Sequence, residues 1–458
     1  MSVHTTTTPP NPLIKEFAVL TTVTLNGPNL NLDMKSLCEA IRVNTTITSL
    51  TITQAQLENY GTIMLAQALS DNVILTKLDL SSNQIRDEGV AALSDLLLRH
   101  HHGVGLTHLC LFQNQIRSAG AISIAQALKI NDRLLSLVLG ENLLESSGAV
   151  FLAEAFNVNR TLLHLDVHCN SITEHGVTAL IEALARSGTL TRLELSENSI
   201  GSAILVLAEK LTQLPALVRI GLSSTGIRTP GMTSFAERLA YNCSLRSLRI
   251  GYNKIALEGV KALTRAVAQN QHLTELSFCF ACLQNKGAVE FASAIQANTS
   301  LTSLKLREDR VGQAGTTAIA QGLAKNHTLT VLSLSENKIG DEGAKAIAQA
   351  LAQNRVLTSL RLRGNNIHCE GSRALAQSLL TNNALTDLDL SSNRIKESGI
   401  QSLVEILEHY GSALSVLNVE RNPISRRGLQ SLARVMVIFS KSVVIDGDVF
   451  PQLQQFYK

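Results

Sequence analysis

A leucine-rich phrase returns about every 28 residues along almost the whole chain, and this regularity limits the folds that the sequence can adopt. The phrase has the form L-x-x-L-x-L-x-x-N-x-I, and the near copies LTKLDLSSNQI, LTVLSLSENKI and LTDLDLSSNRI begin at Leu75, Leu329 and Leu385. Fifteen units can be counted, with their first apolar positions running from Leu20 to Leu414. A fixed period of this length predicts a solenoid, in which each unit packs on its neighbours and binding belongs to an extended surface.

The composition favours one elongated array. The 458-residue chain is 45% hydrophobic but only 3% aromatic and lacks tryptophan, as expected where Leu, Ile and Ala fill many small layers. Because the register of the repeat hardly slips, we predict a single repeat array over residues 13–438, preceded by a disordered segment, 1–12, and followed by a cap, 439–458. The net charge of +3 gives no global argument for a nucleic acid or a membrane surface as partner.

Cysteine usage and the chain start bear on the compartment. Seven cysteines, odd in number and scattered, do not resemble a disulfide framework. The polar start, MSVHTTTTPPNP, lacks the apolar core of a secretory signal, and no apolar stretch is long enough to span a bilayer. We therefore expect a cytoplasmic protein, or one in the host cytosol if the chain is a secreted bacterial effector.

Each repeat predicts a short strand, a turn and a helix. In the copy that begins at Leu75, the leucines alternate with polar residues, so Leu78 and Leu80 are predicted to point inward while Lys77, Asp79 and Ser81 point outward. Thirteen units have Gly four residues beyond the Ile or Leu, which suits a crowded or a positive-φ junction before the helix. Stacked units would then align their strands in a parallel sheet, about 4.8 Å apart, with the outward residues in columns.

Asparagine recurs at two places in the unit. A buried amide just after the strand can bond backbone groups of its own turn and the next. Ten units have it: Asn83, Asn114, Asn142, Asn170, Asn198, Asn253, Asn337, Asn365, Asn393 and Asn422. A second Asn ends many of the helices, where we expect the left-handed conformation that Asn tolerates. These residues are Asn72, Asn131, Asn159, Asn270, Asn298, Asn326 and Asn354.

These features together resemble the ribonuclease-inhibitor-type leucine-rich repeat family over roughly residues 20–438. The resemblance implies an α/β solenoid, or horseshoe, with a concave parallel sheet, convex helices and partners held on the concave face. The family includes ribonuclease inhibitors, sensor arrays of NOD-like receptors, the activator of the Ran GTPase and effectors of intracellular bacteria. This chain is slightly basic, has no Trp, and lacks the acidic tail of the Ran activator and the phosphate-loop pattern G-x-x-x-x-G-K-[ST]. A bare array is most similar to a bacterial effector or a soluble adaptor.

Units four to six carry a group that we name the histidine patch: His108, Phe112, His164 and His168. We predict a recognition surface anchored by Phe112, because buried aromatic side chains dominate interface energies. Its histidines would make binding sensitive to pH. Zinc is the sharper alternative, but His108 and His164 lie two repeats apart, near 10 Å, too far to ligate one ion without distortion. We predict no metal and no cofactor.

Cations collect further along the same face, in a group that we name the basic stripe. Its members are Arg192, Arg219, Arg249, Lys305, Arg307, Arg361 and Arg363. Such a stripe would attract an acidic protein, although cross-strand ion pairs are an alternative explanation. Tyr252 and Phe280, just past their strands, are candidate aromatic anchors beside it. RNA is disfavoured, because aromatic residues that would stack on bases are not interleaved with the cations.

Three short segments have weaker signals. The CFAC segment, from Cys279 to Cys282, is a lone C-x-x-C and therefore a weak redox or zinc motif. RHHHGVG, which begins at Arg99, lies in the longest unit and predicts a solvated insertion or a contact loop. SVVIDGDVF, which begins at Ser442, predicts a strand and cap that cover the last repeat.

The most direct interpretation is a monomeric, non-enzymatic binding module for a folded, partly acidic protein, since an open sheet offers no water-excluding catalytic pocket. Two alternatives rest on resemblance: a GTPase-activating protein like the Ran activator, and a eukaryotic adaptor of the innate-immune type. A passive structural spacer is the third.

Overall fold

The computed structural model describes residues 12–27, 33–99, 105–281, 283–408, 413–439 and 442–444. Several predictions lie wholly or mostly outside these residues: the disordered segment 1–12, of which only Pro12 is described, the interior of the RHHHGVG insertion, Cys282 of the CFAC segment, and most of the predicted cap. The described residues belong to two compact units, Met1–Gly226 and Ile227–Lys458. The single array over residues 13–438 stays a prediction.

Each repeat of the first unit contributes one strand and one helix. The strands are β1 (Thr22–Asn26), β2 (Ser49–Thr53), β3 (Lys77–Asp79), β4 (His108–Cys110), β5 (Ser136–Val138), β6 (His164–Asp166), β7 (Arg192–Glu194) and β8 (Arg219–Gly221). The helices are α1 (Pro12–Phe17), α2 (Met34–Val43), α3 (Glu58–Ala68), α4 (Asp87–Leu98), α5 (Ser118–Leu128), α6 (Glu145–Phe156), α7 (Glu174–Ser187) and α8 (Ala203–Lys210), with a 3-10 turn at Leu211–Gln213.

The second unit has the same organisation. Its helices are α9 (Thr229–Leu239), α10 (Leu257–Gln269), α11 (Gln284–Ala297), α12 (Gln313–Lys325), α13 (Gly340–Leu351), α14 (Cys369–Leu379), α15 (Glu397–Glu408) and α16 (Arg426–Phe439). Its strands are β9 (Ser247–Arg249), β10 (Glu275–Ser277), β11 (Ser303–Lys305), β12 (Val331–Ser333), β13 (Ser359–Arg361), β14 (Asp387–Asp389), β15 (Val416–Asn418) and β16 (Ser442–Val444). None of the described helices is long and apolar enough to cross a membrane.

Within each unit the strands pair in parallel, in chain order, with the central leucine of one strand opposite that of the next. Leu78 is opposite Leu109 in the first unit, and Leu304 is opposite Leu332 in the second. These leucines are at most 1% exposed because they lie between the sheet and the helices. The predicted leucine-rich-repeat solenoid, an α/β fold with a parallel sheet, is thereby confirmed.

The asparagine that follows the strand in ten of the repeats joins neighbouring repeats. Asn337 Nδ2 donates to the carbonyl oxygen of Leu334 in its own turn (2.9 Å) and to that of Leu306 in the preceding repeat (2.8 Å). Its Oδ1 accepts from the backbone N–H groups of Asp309 (3.0 Å) and Val311 (2.9 Å). The predicted structural ladder is confirmed, but its side chains reach back to the preceding turn and not forward to the next. Buried backbone groups at the bend are satisfied in this way.

The asparagines at the helix ends form a second ladder, and the predicted left-handed conformation is wrong. Asn298 is extended, with φ −76° and ψ 138°. Its Nδ2 donates to the carbonyl oxygens of Val267 (2.6 Å) and Asn270 (2.9 Å) in the preceding repeat, while Oδ1 accepts from Leu301 N (2.6 Å). The amide, and not a tolerance of positive φ, explains why Asn recurs here.

Packing also decides the predictions for the helix glycines and for Ser81. The recurring helix glycines do not have positive φ, so crowding is the reason for them. A Cβ on Gly176 would lie 2.8 Å from Ile172 Cγ2 and 2.9 Å from Ser146 Cα. Ser81, which was expected to point into solvent, is only 9% exposed, and its Oγ donates to Asp79 Oδ1 at 2.5 Å.

Candidate functional site

The histidine patch lies on the sheet face of the first unit, opposite its helices. The first residues of three consecutive strands, His108 of β4, Ser136 of β5 and His164 of β6, are paired neighbours in the sheet. His164 Nδ1 is 2.9 Å from Ser136 Oγ, whereas His108 Nδ1 is 2.8 Å from Thr107 Oγ1. A whole strand therefore separates the two histidines, as the sequence predicted.

Phe112 and His168, which are two repeats apart, come into contact. Their rings stack with centroids 5.6 Å apart and planes 25° from parallel. Two strand spacings would hold the backbones about 10 Å apart, so both side chains lean over the repeat between them. Gly140 makes this possible, because a Cβ there would lie 2.2 Å from His168 Cε1 and 2.3 Å from Nδ1. Sequence reasoning missed Gly140; its signal was a glycine where the neighbouring units carry Phe112 and His168.

Asp166 forms a hydrogen bond with the His168 ring. Its Oδ1 lies 2.6 Å from His168 Nδ1, and both side chains are largely buried, at 16% and 22% exposed. This hydrogen bond raises the pKa of His168 above its ordinary value, against the effect of burial. Burial instead lowers the pKa of His164, and burial followed by the charge of Lys77 lowers the pKa of His108. The patch thus combines two histidines that favour the neutral form with one that favours the imidazolium.

The basic stripe is divided between the units, and each part is described by itself. In the first unit Arg192 is opposite Arg219 in the register of β7 and β8. Arg219 Nε is buried and has no hydrogen-bond partner among the described residues. Asp166 and Glu194 are neighbours two residues further along β6 and β7, so this part of the face mixes both signs of charge.

In the second unit a row of side chains crosses five strands at one register position. We name it the cation row: Arg249, Ser277, Lys305, Ser333 and Arg361. The three cations are exposed and alternate with the two serines. Within the described residues their side chains form no hydrogen bond or ion pair. Asp389 is opposite Arg361 and ends the row.

The remaining two members of the stripe are already paired. Arg307 Nη2 lies 2.9 Å from Glu308 Oε1, and Arg363 Nε lies 3.2 Å from Glu336 Oε1. A count of charges in the sequence thus overstates the number of free cations, because the turns after the strands bring Glu308 and Glu336 within reach of these two arginines. Ion pairs of such exposure contribute at most about 1 kcal/mol each.

The predicted aromatic anchors form a stacked pair at the rim of the second unit. The rings of Tyr252 and Phe280 have centroids 4.1 Å apart and planes 19° from parallel. Tyr252 is 52% exposed. Both residues have φ 56°, a left-handed conformation that is costly for a bulky side chain. The turn imposes this conformation in most repeats, and Ser or Glu occupies the position in several of them.

Other site chemistries have little support in the described part of the chain. No group of three or more His, Cys, Asp or Glu side chains there is placed to hold a metal ion. The six described cysteines are free thiols. A depression of about 470 Å³ lies on the helix side of the first unit, between α3 and α4, and no residue of the histidine patch lines it.

The comparisons with known proteins agree with this geometry. A family model described as Leucine Rich repeat matches seven segments: 71–94, 158–180, 241–263, 269–292, 325–348, 353–376 and 381–404. The chain is a leucine-rich repeat protein. Each matched segment of this leucine-rich repeat protein contains one whole strand and the first part of the helix that follows it.

Solved structures share the fold of this leucine-rich repeat protein. A chain of the yeast Rad7–Elc1 complex aligns with a TM-score of 0.50 and 19% identity, over 81% of this chain and 85% of that chain. A chain of a TLR13–ssRNA13 complex aligns with a TM-score of 0.50 and 19% identity, over 85% of this chain and 52% of that chain. A search of curated proteins finds no match. At such identity the likeness concerns the fold alone.

Proposed function

We propose that the chain is a non-enzymatic scaffold that binds a folded, partly acidic protein on the exposed sheet face of its second unit. The observation that carries this proposal is the cation row, in which Arg249, Lys305 and Arg361 are exposed and unpaired among the described residues. Unpaired surface cations add little to stability, whereas a row of one sign attracts an opposite charge and accelerates encounter.

The stacked pair of Tyr252 and Phe280 supports the same face. Aromatic side chains are enriched at the centres of interfaces, where they bury much area at low entropic cost. Because the pair is held in a left-handed turn that smaller residues would occupy with less strain, a role in binding explains its presence better than stability does.

We propose that the histidine patch, with Arg219, is a secondary contact surface of the first unit, that the protein is a monomer, and that it works in the cytoplasm. Free thiols at all six described cysteines suit a reducing compartment. For a bacterial effector, that compartment is the host cytosol. The membership of a ribonuclease-inhibitor-type subgroup is proposed on the 28-residue period.

Charge reversal tests the proposal. Partners would be captured by proximity labelling with the full chain, and the strongest would be measured against the triple variant Arg249→Glu, Lys305→Glu and Arg361→Glu. A matched control reverses three exposed cations on helices α10 to α12, through Arg265→Glu, Lys286→Glu and Lys325→Glu. We expect the first variant to weaken binding by at least about tenfold and to reduce its salt dependence, while the control changes little. Equal binding by both variants would reject the proposal.

A further inference from the structure

The spacing of the cation row carries information about the partner. Arg249, Lys305 and Arg361 lie on alternate strands, β9, β11 and β13, and a serine of the intervening strand is opposite each of them. Adjacent strands of a sheet are about 4.8 Å apart, so consecutive cations are about 10 Å apart and the whole row spans about 19 Å. Ser277 and Ser333 leave low points between the cations, where side chains of a partner can enter.

An α-helix matches this spacing. Seven residues of helix advance about 10.5 Å and complete almost two turns, so residues seven apart lie on one face. An extended strand does not match, because three residues also advance about 10 Å but point to opposite faces. The phosphates of a nucleic-acid strand recur at much closer intervals, about 3.4 Å along a duplex axis. Of these elements, only the helix places acids of the required period on one face.

We propose that the cation row is a docking surface for an α-helix of a partner protein that carries Asp or Glu at every seventh residue over about three successive positions. This inference rests on the proposed function and specifies the partner's recognised element. The helix lies across the strands, along the row from Arg249 to Arg361, with one acid at each cation.

The flanking side chains suit such a helix. Tyr252 follows Arg249 along the chain by three residues and stacks on the half-buried Phe280, so an aromatic pair with one exposed ring lies at the rim near one end of the row. Arg307 and Arg363 are held by Glu308 and Glu336, and these neutralised pairs add no competing net charge beside the row. At the other end Asp389 is opposite Arg361, so a longer run of acids would be repelled there.

Peptide binding to the full, unmodified chain tests the spacing. The probes are two alanine-based helical peptides of about 22 residues with identical composition, one with Glu at every seventh residue and one with Glu at every fifth, which scatters the acids around the helix. Fluorescence anisotropy should show binding of the first at least about tenfold tighter than of the second, because three charge pairs form at once. Equal affinity would overturn the inference.

Two further probes decide between element types. A polyproline-II peptide with Glu at every third residue repeats its acids about every 9.3 Å, and a short oligouridylate RNA presents phosphates beside a stacking surface. The inference expects both to bind more weakly than the helical peptide with the seven-residue period. If either probe bound more tightly than the helical peptide, the inference of a helical partner would be overturned in favour of that class of ligand.

A protein variant changes the spacing at constant charge. Ser333→Arg combined with Arg361→Ser moves one cation to the neighbouring strand, about 5 Å from Lys305. We expect this variant to lose its preference for the helical peptide with Glu at every seventh residue. If the double variant does not fold, Arg361→Gln is a milder substitution that should reduce the same preference. An unchanged preference in either variant would contradict the inference. The proposed function fails separately, if reversal of all three cations leaves capture of the cellular partner unchanged.

Discussion

Asp309 is the most informative single residue for stability, because it stands where ten other repeats have the ladder asparagine. Its side chain is fully buried. Oδ1 accepts a hydrogen bond from the backbone N–H of Ala281 (2.8 Å), as an asparagine oxygen does. Oδ2, however, has no hydrogen-bond partner among the described residues. In Asn337 the corresponding atom is a nitrogen that donates to three carbonyl oxygens.

The physical consequence is a buried carboxyl group that favours its protonated form. Burial raises the pKa of Asp309 from its ordinary value of 3.8 to about 7, with a smaller contribution from the charge of Glu308, while the backbone N–H groups of Ala281 and Leu283 act against this rise. Because the folded state binds the proton more tightly than the unfolded state does, stability is greatest below about pH 4 as far as this group is concerned. It falls as the pH rises toward about 7 and then levels off.

We therefore expect Asp309→Asn to stabilise the protein at about pH 8 by up to about 4 kcal/mol, since each tenfold change in acidity is worth about 1.4 kcal/mol. Near pH 4 the variant and the parent should be about equally stable. The measurement is urea unfolding at several pH values between these limits, with the shift in midpoint compared at constant slope. The reciprocal control is Asn337→Asp, which should introduce the same dependence on pH in the neighbouring repeat. A stability difference for Asp309→Asn that does not change with pH would refute the reasoning.

Three further predictions concern the histidine patch and the ladder. In an NMR titration, His168 should lose its proton at a higher pH than His108 and His164 do, because the pKa of His168 is raised and the other two are lowered; the reverse order would contradict the assigned hydrogen bond. Gly140→Ala should leave the fold intact but displace the His168 ring and lower its raised pKa toward the ordinary value of a histidine, since the new Cβ meets only the end of a movable side chain. Asn365→Ala should cost about 3 kcal/mol in urea unfolding, because it leaves the backbone N–H of Asn337 and the carbonyl oxygens of Leu334 and Leu362 without the amide; a loss below about 1 kcal/mol would show that water replaces the amide.

The sequence predicted the periodic part of the fold well, because the repeat is written in side chains that pack. The alternation around Leu78 identifies the strand, and the amide of Asn337 is the group that a tight turn needs. The conformation of Asn298 could not be predicted from the sequence, since asparagine suits both a left-handed helix end and an extended residue whose amide bonds the preceding repeat.

The candidate surfaces were harder to predict, because their properties depend on residues from different repeats. Free and paired cations look alike in sequence: Arg361 and Arg363 are two residues apart, yet only Arg363 meets a carboxylate, from Glu336 of the preceding repeat. The contact between Phe112 and His168 likewise depends on what is missing at Gly140.

Stability and recognition are thus carried by different rows of the same strands. The inward leucines and the two asparagine ladders are buried and bonded from repeat to repeat, so substitution there is costly whatever the partner. The cations of the outward row, about 10 Å apart, repel each other by only about 0.4 kcal/mol in water, so the fold tolerates them without needing them. Replacing Arg249 and Arg361 with neutral residues should therefore change the free energy of unfolding little but clearly weaken binding. Asn365→Ala should instead lower the free energy of unfolding and leave binding unchanged, as long as its repeat stays folded. Finding that outward substitutions destabilise as much as ladder substitutions would remove the reason for assigning this row to a partner.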